Sequence, residues 1–135
     1  FGAELESEIR RLGLEARVHL AGQDAMAPWL ERAACVVHAS LTPDAFPNVC
    51  IEALAARRPL ITNTECGVAE ILTPGTDAWV VPPRDIDALS AAIGEVLSDP
   101  ARALLVADAG YRRYAEHCTP SHMVQPIERE LCALL

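Results

Sequence analysis

Two short apolar runs, Cys35–Ala39 and Leu60–Thr62, are joined by a segment that reads as a helix from Pro47-Asn48 to about Arg57. Strand, crossover helix and second strand together dictate parallel pairing, and a parallel sheet is covered on both faces. From Val49 to Ala56 the helix is apolar on every side except at Glu52, the pattern of a buried helix. A buried carboxylate is costly without a partner, so Glu52 is expected to serve one. Pro47 suits a helix start, because its φ is preset and its missing N–H would be unpaired there anyway. Asn48 is a good capping residue and shares a face with Glu52, four residues on. Asp44 stands in the loop just ahead. Two carboxylates, an amide and an anion-favouring helix N-terminus are therefore expected at one mouth. That set suits a ligand carrying both hydroxyls and phosphate.

The rest of the chain extends the alternation. Glu4–Leu14 reads as an amphipathic helix, with Leu5, Ile9 and Leu12 on one face and Gly13 near its end. Arg17–Ala21 reads as a strand ended by Gly22. Asp24 can cap a helix to about Arg32, with Met26, Trp29, Leu30 and Ala33 inward. Arg58-Pro59 stops the central helix. Glu65-Cys66-Gly67 leads into a short helix, Val68–Leu72, and Trp79–Val81 is another strand. Asp85 caps a helix over 86–97, and Asp99-Pro100 starts one to about His117. Thr119-Pro120 starts a last helix toward Leu135, which Pro126 should kink or interrupt. Strands alternating with helices predict an α/β fold with a doubly wound, Rossmann-like parallel sheet. Four strands make a thin sheet, which predicts that the first strand of the fold is lacking.

A single domain over 1–135 can bury a real core. With 51% hydrophobic residues, disorder is not expected. A net charge of −8 argues against a nucleic-acid partner and against docking on an anionic membrane. No apolar run has the length of a membrane span, and the start lacks the pattern of a signal peptide. The chain opens at Phe1 without an initiator Met, so it reads as part of a longer protein. Five irregularly spaced cysteines (Cys35, Cys50, Cys66, Cys118, Cys132) suit a reducing, cytoplasmic setting. Cys35 and His38 have a metal-like spacing, but alternation puts them on opposite faces of a strand, so core packing is the better reading. Asp85-Ile86-Asp87 resembles a metal-diphosphate motif. It follows Pro82-Pro83 and opens an amphipathic helix, so Asp85 reads as a cap and Asp87 as a first-turn acid.

Ser40-Leu41, Asp44-Ala45-Phe46-Pro47-Asn48-Val49, Glu52-Ala53-Leu54-Ala55-Ala56 and Pro59-Leu60-Ile61-Thr62 together resemble the donor-binding segment of the retaining GT-B glycosyltransferases of family 4. The resemblance covers nearly the whole chain, as the C-terminal half of such an enzyme. It implies a nucleotide-diphosphate sugar as partner, transfer of a hexosyl group to an acceptor hydroxyl, and a missing N-terminal domain that brings the acceptor. It implies no cofactor and no donor-bound metal. The acid at Glu52 is implied to hold the ribose, and that at Asp44 the hexose hydroxyls. Backbone N–H groups near Phe46, Pro47, Asn48 and Val49 face the sugar or diphosphate. The loop at Gly22 and Gln23 sits beside the base, and Gly67 lets backbone approach the ligand. Asp44 stands where the family usually has Glu, Arg57 where it commonly has Gly, and Cys66-Gly67 where it has Gly-Gly. The cations that neutralise the diphosphate are not in this chain, so no catalytic residue is expected here and the chain alone is expected to be inactive. A rival reading is a non-enzymatic doubly wound module that docks partners.

Overall fold

The protein is described here by a computed structural model covering residues 2–134, apart from the Met123 side chain. Its elements are α1 (Gly2–Arg11), α2 (Ala27–Arg32), β1 (Val36–Val37), α3 (Asn48–Ala55), β2 (Leu60–Asn63), a 3₁₀ turn (Gly67–Ile71), β3 (Trp79–Val81), α4 (Ile86–Ser98), α5 (Pro100–His117) and α6 (Pro120–Ala133). Among the described residues the sheet is parallel throughout, in the order β1-β2-β3. Val36 stands opposite Leu60, and Ile61 opposite Trp79. All four residues of the central strand β2 are buried.

Alternation along β2 divides the interior into two layers. Leu60 joins Leu30, Cys50, Ala53, Leu54, Cys66 and Val68 beneath α3. Ile61 joins Trp79, Ala92, Val96, Ala103 and Val106 beneath α4 and α5. The sheet thus has helices on both faces, the doubly wound arrangement expected. Cys35 packs with the second layer while Val36 packs with the first, as strand alternation requires.

Local chemistry sets the helix ends. The Asp85 carboxylate accepts from the Ala88 N–H at 2.9 Å, and that of Asp99 from the Arg102 N–H at 3.0 Å. Asp85 is therefore a cap, as read from the sequence. After α3 the Arg57 N–H donates to the Leu54 carbonyl and the Arg58 N–H to that of Ala53, which is the Schellman closure. It requires Arg57 to take φ +52, and the guanidinium lies 4.2 Å from the centre of the Tyr111 ring on α5.

Several expectations are corrected. Residues 17–21, expected as a strand, form no ladder, because a strand exists only through a partner and none stands beside them among the described residues. β1 is two residues long, shorter than the 35–39 run, and its Val37 is exposed. Asp24 does not cap α2 in the expected position. Its carboxylate accepts from the Ala25 N–H and the Trp29 indole N–H, and the helix starts at Ala27. Leu30 is buried, but Met26 and Trp29 are exposed rather than inward. The short helix after Gly67 is a 3₁₀ turn. Pro126 lies inside α6 without ending it, and the stretch toward Leu135 is described only to Leu134.

Candidate functional site

Three loops leave the carboxyl ends of the strands, where open α/β sheets hold their ligands. They run from β1 to α3, from β2 to the 3₁₀ turn, and from β3 to α4. The sequence makes each loop and the structure ties them together. Asn63, buried at the end of β2, donates through Nδ2 to the Ser40 carbonyl at 2.7 Å and accepts from the Glu65 N–H at 3.0 Å. The Asp44 N–H donates to the Glu65 carbonyl at 3.2 Å, and the Gly67 N–H donates to the Asp44 carbonyl at 2.8 Å. These two bonds form a short parallel bridge between Asp44 and Cys66. Arg84, at φ +62, donates through Nη2 to the Leu41 carbonyl at 2.6 Å, and its Nη1 lies 3.6 Å from Glu65 Oε1.

The site residues fall around two clefts and one small cavity. Asp44, Phe46 and Gly67 line a cleft of about 470 Å³ together with Glu65, Glu70 and Ile71. Glu52 lines a second cleft, of about 510 Å³, with Ala25, Met26, Leu30, Ala55 and Ala56. The two acids expected at one mouth thus line different clefts, that of Glu52 lying between the second half of α3 and the start of α2. Glu52 is exposed, not buried, so the argument from a buried charge does not hold. Only Cys50, Ala53 and Leu54 of α3 are buried; its face at Asn48 and Glu52 is open. Helix 49–56 looked apolar all round because alanines sit on the outside as well as the inside.

Asn48 is not the cap either. Pro47 takes that position, at φ −65 and ψ 129, and no side chain caps the helix. Cys50 and Ile51 turn their N–H groups back to the Pro47 carbonyl. Those of Asn48 and Val49 point out of the first turn, toward where an anion is favoured. Phe46, exposed, and Val49, half-buried, flank this end. Gly22, at φ +68, and Gln23 line neither cleft. They lie in the loop whose far end, Ala25, borders the cleft of Glu52.

A cavity of about 110 Å³ sits at the strand ends themselves, lined by His38, Ser40, Thr62, Asn63, Arg84 and Leu89. His38 also approaches Asp44, Nε2 to Oδ2 3.6 Å. Sequence reading left His38, Glu65 and Arg84 out of the site. Their roles depend on loops up to 43 residues apart, and only the left-handed backbone at Arg84 marks it locally. Cys50 is buried and does not reach either cleft. Burial, with Cys66 beside it, pushes its thiol up to about 12.

Residues 2–99 match the model of a family described as glycosyl transferases group 1. An exopolysaccharide phosphotransferase of Streptomyces coelicolor is 36% identical over 102 residues, 73% of this chain and 11% of that protein. An MMP alpha-(1->4)-mannosyltransferase of Mycolicibacterium hassiacum is 30% identical over 115 residues, 82% of this chain and 28% of that protein. Anabaena Alr3699/HepE, solved with UDP-glucose, superposes with a TM-score of 0.92 at 25% identity, over 98% of this chain and 37% of that one. The chain therefore spans between about a tenth and two fifths of the length of these relatives. By the match over residues 2–99, this chain belongs to the glycosyl transferases group 1 family, on a GT-B type α/β domain.

Proposed function

We propose that the chain is the donor-binding domain of a retaining glycosyltransferase, taking a nucleotide-diphosphate sugar whose hexosyl group passes to an acceptor hydroxyl. The observation that carries this reading is the uncapped start of α3, with Asp44 in the loop just before it and Glu52 exposed one turn on. Free N–H groups at a helix N-terminus suit a diphosphate, and a carboxylate on either side suits hydroxyl donors. Glu52 takes the ribose, with Gly22 and Gln23 toward the base. Asp44 takes the hexose hydroxyls. The backbone at Phe46, Pro47, Asn48 and Val49, with Gly67 opposite, receives the diphosphate and sugar. UDP-glucose in the Anabaena relative supports a nucleotide sugar as the ligand class. The shared segment is 11% of the Streptomyces phosphotransferase, too small a part to carry that protein's named reaction. A non-enzymatic docking module is the weaker reading, because it leaves the family match without a role.

The acceptor and the cations for the diphosphate belong, on this proposal, to another domain of a longer protein. Val124, Ile127 and Leu131 on α6, with Leu134 just past its end, form an exposed apolar row that suits such a neighbour. The free cysteines are in keeping with a reducing compartment.

Calorimetry with UDP and UDP-glucose as probes tests the assignment. Glu52→Gln should weaken both by about 1.5–3 kcal/mol, the scale of a charged hydrogen bond. Asp44→Asn should weaken UDP-glucose and leave UDP unchanged. Equal affinity of wild type and Glu52→Gln for UDP rejects the ribose role. An equal loss of UDP in the two variants rejects the division between them.

A further inference from the structure

The face of the sheet beneath α3 brings together three side chains distant in sequence. His38 stands just past β1, Cys50 in the first turn of α3, and Cys66 just before the 3₁₀ turn. One ligand atom from each lies within 4.8 Å of the other two. A point between three atoms so spaced is at most about 2.8 Å from each, by 4.8/√3. Zinc–thiolate and zinc–imidazole bonds run to about 2.3 Å and 2.0–2.1 Å, so a shift of well under 1 Å per ligand closes the set.

Apolar packing accounts for Cys50 and Cys66, which are buried core residues. It does not account for His38. The Nδ1 atom of that ring is buried and has no hydrogen-bond partner among the described residues, an arrangement that costs free energy as it stands. The other nitrogen, Nε2, lies 3.6 Å from the Asp44 carboxylate. A carboxylate on one imidazole nitrogen and a metal on the other is the usual way an outer partner orients a histidine ligand. Two soft sulfurs and an imidazole select zinc or its spectroscopic substitute cobalt over magnesium or calcium.

We propose that His38, Cys50 and Cys66 form a zinc site, with Asp44 orienting the His38 ring and a water from the adjoining cavity completing a tetrahedron. On binding, each thiol gives its proton to solvent and its sulfur electron pair to the metal. No electron is transferred and no oxidant is needed. The metal pins together the end of β1, the start of α3 and the loop before the 3₁₀ turn. Its role is structural. Its outer partner Asp44 also borders the cleft proposed for the sugar, but the three ligands are not among the proposed ligand-binding residues, so the metal does not depend on the ligand reading above.

The test is titration of the reduced full chain with Co²⁺, followed by displacement with Zn²⁺. One equivalent should bind, with a thiolate-to-cobalt charge-transfer band and the visible bands of a tetrahedral ion. Cys50→Ala and Cys66→Ala should each halve the charge-transfer intensity and weaken binding at least tenfold. A triple Cys35→Ala, Cys118→Ala, Cys132→Ala variant retains only Cys50 and Cys66, and should keep the full band. That variant decides the matter if the single core variants fail to fold. Absence of the band in wild type, its survival at full intensity and affinity in Cys50→Ala, its loss in the triple variant, or a Cys50–Cys66 disulfide in the protein as isolated each overturns the proposal.

Discussion

Gly67 is where the site is most sensitive to a single atom. A Cβ placed on it would lie 1.6 Å from the Ala45 carbonyl oxygen and 2.7 Å from the carbonyl carbon. Real Cβ atoms do not come within 3.0 Å, so the two backbones must part by at least 1.4 Å, the difference between 3.0 and 1.6. Neither side yields easily. Val68, next in the chain, is wholly buried, and the Asp44–Phe46 loop is bonded to 65–67. Parting them breaks the Gly67 N–H to Asp44 carbonyl bond of 2.8 Å and strains its 3.2 Å companion. At about 1 kcal/mol per hydrogen bond, with the loss of packing around Cys66, Gly67→Ala should cost about 2–4 kcal/mol. Gly94 supplies the control. It lies inside α4 with nothing within 4 Å of its added Cβ, so Gly94→Ala should stabilise by about 0.5–1 kcal/mol. Urea unfolding, with the slope checked for constancy, measures both. If Gly67→Ala stays within about 0.5 kcal/mol of wild type, the close approach of the two loops is not what holds them.

The left-handed backbone at Arg57 predicts that Arg57→Gly is more stable than Arg57→Ala by about 1 kcal/mol, since both lose the contacts with Tyr111 and Asp108 and only glycine relieves the φ of +52; equal unfolding midpoints reject this. Asp77 is buried, and its carboxylate accepts from the Thr73 N–H at 2.7 Å and from Arg113 Nε at 3.2 Å. Asp77→Asn turns a donor toward Arg113, and, with that arginine a third exposed, should cost about 1.5–3 kcal/mol in thermal melts; no change would mean water replaces the pair. The Trp29 indole and the Ala25 N–H hold the Asp24 carboxyl below its ordinary range. The folded pKa is the lower one, so this contact stabilises above the unfolded value and is lost as pH falls through the folded one. Trp29 emission should therefore change below about pH 4 in wild type and stay flat there in Asp24→Asn.

What the sequence made legible follows from the range of the forces involved. Asp85 and Asp99 bond to N–H groups three residues on, so their roles stand in a six-residue window. Alternation placed Cys35 and His38 on opposite faces, and the structure agrees. Residues 17–21 carry strand chemistry, yet a ladder is a property of two segments and no pattern within one supplies the partner. The burial assigned to Glu52 failed for a related reason. Alanine is apolar in the count and cheap to expose, so Ala55 and Ala56 gave the outer face of α3 a false interior character. His38, Cys50 and Cys66 converge only after β1, α3 and the loop beyond β2 have packed, and none of their spacings marks them.

The resulting site divides its work between two sets of residues. Asn63, Gly67 and Arg84 join the three strand-end loops through backbone groups: one buried amide bridges two loops, one missing side chain admits a carbonyl, one strained arginine reaches across to Leu41. Their substitution disturbs geometry whatever the ligand. Phe46, Asn48 and Glu52 are exposed, and their side chains take no part in those joints. Exposed side chains without partners contribute little to folding, so a sequence under selection for stability alone leaves them free to vary. Asp44 belongs to both sets, because its backbone is fixed to residues 65–67 while its carboxylate stands over a cleft beside His38. A carboxylate held by its own main chain in this way is pre-oriented, and a ligand that it binds does not have to order it. That is the physical sense in which the sheet, through the loops at its carboxyl edge, would prepare the proposed site before any ligand arrives.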